Sequence, residues 1–128
     1  GPHEEAKGSY ANMITQFLWG MKAGEQPVLF GDGTQTRDFT YVKDIVAALL
    51  LTSRKGTGIF NAGTGKAFSF NFVVDLINSR LGTDLKPICI ENPIKNYVVH
   101  TLADTTKLQR LGFMPRYSLE DGLKEIMG

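Results

Sequence analysis

Disulfide chemistry is closed to this chain, which carries a single cysteine, Cys89. One thiol cannot form an intrachain bridge, and its place in the alternating apolar stretch 87–91 predicts a small core residue, not a nucleophile. A reducing compartment is compatible with this usage, and a cytoplasmic location is the expectation. Long apolar runs are also missing, so no membrane span is foreseen, and no leader-peptide pattern opens the chain. Neither sign of charge dominates. Fourteen Lys and Arg stand against thirteen Asp and Glu, a net charge of +1, which removes the electrostatic ground for nucleic acid or an anionic membrane as partner. Histidine is scarce as well. His100 has no companion at metal-ligand spacing and the only other histidine is His3, so no metal site is expected.

What is present is ordinary for a globular protein: 128 residues, 42% hydrophobic and 21% charged, enough for one domain over residues 1–128 with a modest core. Apolar spacing predicts five helices. The first covers 10–23, with Ser9 as its cap and Gly24 as its stop. The second covers 43–54 and ends before Gly56. The third, 70–81, lies between Ser69 and Gly82. A short one covers 104–111, capped by Asp104 and stopped by Gly112. The last starts at Ser118, where Ser-Leu-Glu-Asp reads as a capping box with Asp121 in the usual Glu position. Four short strands are predicted at 27–30, 38–42, 59–63 and 87–91, with the turn-rich 31–36 joining the first two. Strands alternating with helices give an α/β fold with some parallel pairing.

Three segments hold the candidate chemistry. In GDGTQTRDFTYVKD (31–44), Gly31 and Gly33 let backbone N–H groups approach a ligand. Arg37 offers a planar fork for a phosphate or carboxylate; the alternative is a hairpin with an Arg–Asp surface pair. NAGTG (61–65) follows a strand, yet it has neither P-loop spacing nor the third glycine of G-x-G-x-x-G, a place taken by Phe68. It reads as a tight strand-to-helix turn, with a nucleotide loop as the other reading. In 91–104, Tyr97 can stack on a sugar or base and donate through its hydroxyl. Lys7 and Ser9 stand at the mouth of the first helix. There they are either a solvated lysine and a cap, or the edge of an anion site.

Taken together and in order, these segments resemble the C-terminal half of NAD(P)-dependent nucleotide-sugar epimerases and dehydratases, the extended short-chain dehydrogenase/reductase group. GPHEEAKGSYANM is most similar to the ADP-glycero-manno-heptose 6-epimerase type. GDGTQTRDFTYVKDIVAAL resembles UDP-glucose 4-epimerase and its relatives, and IFNAGTGKAFSF and ADTTKLQRLGFMPRYSLEDGLKEI resemble the tail shared by most of the group. The likeness covers essentially the whole chain. Arg-Asp-Phe-x-Tyr-Val-x-Asp followed by Phe-Asn-x-Gly-x-Gly is its most specific part.

The resemblance implies a C-terminal fragment of a Rossmann-type fold whose N-terminal half, with the glycine-rich cofactor loop and the Tyr-x-x-x-Lys pair, is absent here. NAD or NADP would then serve the full-length enzyme, with none bound by this chain alone, and the isolated chain would be inactive. The implied ligand is a UDP-, ADP- or dTDP-sugar. Lys7 corresponds to an additional catalytic base. Ser9, Phe30, Gly31, Asp32, Gly33, Arg37 and Tyr97 correspond to substrate contacts, Arg37 to the diphosphate. Gln16 stands where a substrate-contacting histidine is usual, and the loop before Arg37 is one residue shorter than in the heptose enzymes. Both departures favour another sugar. A stand-alone nucleotide-sugar or phosphate-binding module without catalysis is the second reading. Without the large sheet, helix 43–54 and strand 59–63 would expose apolar surface, and a homodimer is expected.

Overall fold

The third predicted helix forms between its predicted ends. In the computed structural model, which describes all 128 residues, α3 spans Phe70–Leu81. Ser69 Oγ accepts the Phe72 N–H at 3.1 Å, and Gly82 closes the helix in the left-handed region. The last helix, α5 (Leu119–Met127), carries the capping box in full: Ser118 Oγ accepts from the Asp121 N–H, and Asp121 Oδ2 accepts from the Ser118 N–H. Such caps satisfy donors that the first helical turn leaves free. The remaining helices are α1 (Met13–Lys22), α2 (Val42–Lys55) and the single turn α4 (Thr106–Gln109). A 3-10 segment, Glu5–Tyr10, precedes α1.

The architecture is mixed α/β, with five α-helices and four short strands. Two strands form where predicted: β1 (Val28–Phe30) pairs in parallel with β4 (Ile88–Ile90), Val28 opposite Ile88. The other two lie elsewhere. β2 (Thr36–Arg37) pairs antiparallel with β3 (Phe68–Ser69), and an isolated parallel bridge joins Thr36 to His100. β1 and β2 do not pair, so 31–36 is not a hairpin turn. Residues 38–41 leave the ladder because the Asp38 carboxylate is bonded to Thr64, Gly65 and Ala103 while Tyr41 becomes the N-cap position of α2. The predicted strand 59–63 has no ladder partner. It is tied by side chains instead, Lys107 Nζ donating to the Ile59 carbonyl and Asn61 Nδ2 to that of Asp104.

Three further expectations are corrected. Ser9 caps nothing. It sits in the 3-10 segment, and Asn12 caps α1 by accepting from the Thr15 N–H, its own N–H and amide held by Glu4. Asp104 bonds the Thr106 N–H from one position ahead of the α4 cap, and that helix is four residues, not eight. Cys89 is exposed, because β4 is an edge strand with all three residues open to solvent.

The main core joins α1, α3 and α5 to β1: Leu18, Met21, Leu29, Val73, Val74, Ile77, Leu119 and Leu123. Each such fully buried aliphatic contributes about 1.5–3 kcal/mol. Ala48, Leu108 and Phe113 form a smaller cluster beneath α2.

Candidate functional site

β2 brings Arg37 out of the short ladder between two aromatic rings. Its guanidinium carbon lies 5.1 Å from the Tyr97 ring centre and 5.5 Å from that of Phe70, a spacing at which a cation is attracted to a ring face. Nη1 donates to the carbonyls of Thr36 (2.8 Å) and Val99 (3.1 Å), and Nη2 to that of Val98 (2.6 Å). No carboxylate pairs with it, so the Arg–Asp surface pair is excluded. Of the five N–H donors a guanidinium carries, Nε–H and one on Nη2 have no protein partner. The arrangement is a half-buried cation, fixed in orientation, with donor capacity left for an anion.

The glycine-bearing loop beside it is built by its own backbone. Gly31 and Gly33 have φ of 70° and 77°, the left-handed region that glycine enters freely. Gly33 is also sterically enforced, since a Cβ there would collide with Asn71 and Leu29. Asn71 closes the loop, its N–H donating to the Gly33 carbonyl and its Nδ2 to the Asp32 carbonyl. Phe30 ends β1, and its carbonyl accepts from the buried Gln35 amide. Asp32 is exposed and folds back on Thr34, whose hydroxyl and N–H hold its carboxyl below the usual range.

Lys7, Ser9 and Gln16 form a separate group. Lys7 Nζ stands 3.4 Å from Glu4 Oε1. Gln16 Nε2 donates to the carbonyls of Ser9 and Ala11, so its amide is spent on its own segment. Burial of Glu4 works against its charge, but the Asn12 N–H and side chain outweigh it and bring the carboxyl down to about 2. No hydrogen bond or ion pair links this group to the Arg37 group. Neither group lines the cleft of about 240 Å³ between α1, Tyr41 and α5.

Phe70 and Asn71, which sequence reasoning missed, complete the site. Their signal was the start of a capped helix directly after β3. Asp38 was missed too, although a carboxylate beside an arginine in a strand pattern implies a partner.

The turn at 61–65 does not fit a dinucleotide pyrophosphate. Asp38 already takes its N–H groups, Oδ1 accepting from the Thr64 N–H and hydroxyl (2.9 and 2.6 Å) and Oδ2 from the Gly65 N–H (2.9 Å). A carboxylate fills the place a phosphate would need, so the nucleotide-loop reading falls. A dinucleotide finds no cradle in this turn.

Comparison with known proteins places this geometry in context. Residues 1–63 match the model of the NAD-dependent epimerase/dehydratase family. Over 127 residues the chain is 35% identical to a candidate UDP-glucose 4-epimerase of Methanocaldococcus jannaschii, covering 99% of this chain and 41% of that protein. UDP-glucose 4-epimerase of Thermotoga maritima, solved with UDP-glucose, superposes with a TM-score of 0.89 at 38% identity, over 98% of this chain and 41% of that one. UDP-glucuronic acid 4-epimerase of Bacillus cereus, solved with UDP-glucuronic acid and NAD, gives a TM-score of 0.82 at 25% identity, over 90% and 38%. The chain therefore spans about two fifths of the length of these relatives.

Proposed function

We propose that this chain, which belongs to the NAD-dependent epimerase/dehydratase family, is the part of a nucleotide-sugar epimerase or dehydratase that holds the substrate. The observation that carries this reading is Arg37, a guanidinium braced by Tyr97 and Phe70 and by three carbonyls, with no carboxylate to neutralise it. A diphosphate supplies the missing negative charge. Its oxygens accept from the two free N–H donors, and the open backbone at Gly31 lets a nucleotide approach along the loop. Tyr97 offers its outer face to a sugar or base. Two solved relatives hold UDP-glucose and UDP-glucuronic acid, which supports a UDP-sugar.

Lys7 and Ser9 form a second, cationic pole for the sugar side. Lys7 is the candidate additional base, its Nζ 3.4 Å from Glu4 Oε1. NAD or NADP would supply the redox chemistry in the whole enzyme, with Arg37, Tyr97 and Lys7 of this chain holding the sugar nucleotide. The cofactor is held outside these 128 residues, which on their own should not turn over.

Titration calorimetry tests the reading. UDP should bind the full-length protein, and Arg37→Ala should cost about 1.5–3 kcal/mol, the worth of a charge-assisted contact. Unchanged UDP affinity in that variant would remove the basis of the proposal.

A further inference from the structure

Asp38 follows Arg37 directly, and its side chain is engaged with different segments. Arg37 meets the 97–99 segment, while Asp38 gathers four donors from two others: the Thr64 N–H and hydroxyl, the Gly65 N–H and, at 3.3 Å, the Ala103 N–H. The fit is close. A Cβ on Gly63 would come within 2.6 Å of Asp38 Oδ2 and 2.5 Å of Ala103 Cβ, so glycine is what admits the carboxylate. Ala103 lies four and five residues beyond the two carbonyls that hold the guanidinium, those of Val99 and Val98. Between them, Thr36 and His100 join β2 to the same segment: the Thr36 N–H donates to Val99, the Thr101 N–H donates to Thr36, and Thr36 Oγ1 lies 2.9 Å from His100 Nδ1. The 97–103 segment is thus fastened to β2 and Asp38 from Arg37's anchor at Val99 onward.

We propose that Asp38 is the positioning residue for Arg37, pinning residues 97–103 against β2 so that the Val98 and Val99 carbonyls and the Tyr97 ring hold the guanidinium toward a diphosphate. This rests on Arg37 being the diphosphate contact. It adds that the contact depends on a carboxylate that itself touches no ligand. Asp38→Asn replaces one acceptor oxygen with an amide that cannot accept from the Gly65 or Ala103 N–H. The 97–103 segment loses its bond at Ala103, while its bonds to Thr36 and the arginine itself are kept.

The experiment is titration of the full-length protein with UDP and with uridine, for Asp38→Asn, Arg37→Ala and the double variant. Asp38→Asn should weaken UDP on the order of tenfold and leave uridine unchanged; in the Arg37→Ala background it should add nothing, since its effect passes through the arginine. Equal losses for UDP and uridine, additive losses in the double variant, or no loss at all would overturn the proposal. If Arg37→Ala leaves UDP binding intact, the diphosphate reading itself falls and the positioning role falls with it. If instead Arg37→Ala is impaired and Asp38→Asn is not, the reading stands and only the positioning role is lost. Thr64→Val removes the shortest bond to Asp38 and keeps all three backbone donors, so it serves if Asp38→Asn fails to fold. Its expected loss is about threefold for UDP alone, and no loss overturns the proposal.

Discussion

Glu4 is 6% exposed and organises the start of the chain, accepting from the Asn12 N–H and Nδ2 and pairing with Lys7. Its carboxyl titrates at about 2 when folded against an ordinary 4.5. Because the folded value is depressed, the unfolded chain binds the proton first as pH falls. Glu4 therefore contributes stability that is whole above about pH 5 and is lost progressively toward pH 2. Asp38, Asp104 and Asp121 are also held below their ordinary values, so the whole protein should weaken in this range. Glu4→Gln should make that decline shallower, as read from urea midpoints across a pH series. An unchanged slope would show that Glu4 is not among the groups responsible. Losing the carboxylate also releases Asn12, the α1 cap, which is worth about 1 kcal/mol.

Among the elements, α2 is tied to the segment leading into α5 by one buried carboxylate. Asp44, in the first turn of α2 and 1% exposed, accepts from the Arg116 and Tyr117 N–H groups, both at 3.0 Å. Asp44→Ala leaves the part-buried Arg116 and Tyr117 N–H groups without their partner, at about 1–3 kcal/mol each. A stability loss of about 3 kcal/mol is expected in denaturant titration. Less than 1 kcal/mol would mean that water replaces the carboxylate. This tie was invisible in the sequence because its ends lie over seventy residues apart. What was legible was local: α3 between Ser69 and Gly82, and α5 behind its capping box, are set by residues within one turn of each end. β2 was misplaced by two residues because Asp38 draws the chain toward 64 and 103. Cys89 was misjudged because alternation marks a strand without saying whether it lies at an edge. Arg37 and Tyr97 were each singled out through family resemblance; their stacking and the bracing of Arg37 by Phe70 and by the Val98 and Val99 carbonyls depend on how the chain closes on itself.

The molecule as a whole leaves one face of α2 apolar and open. Val42, Val46, Leu49 and Leu50 are each between 43% and 63% exposed, and Ile59 is 87% exposed. Single exposed apolar residues are common, but a row of them on one helix marks a surface suited to a partner. The 128-residue chain should self-associate, and Leu49→Lys with Leu50→Glu should return it to monomer in sedimentation equilibrium. A wild-type chain that stays monomeric at high concentration would count against this. The parallel pairing of β1 with β4 bears on how the chain is made. Val28 meets Ile88 sixty positions later, so a nascent chain leaving the ribosome exposes β1 without its mate until most of the sequence has been translated. Closing so wide a loop is entropically slow, and the α1–α3 packing, complete earlier in synthesis, is what can shelter Leu29 during that wait.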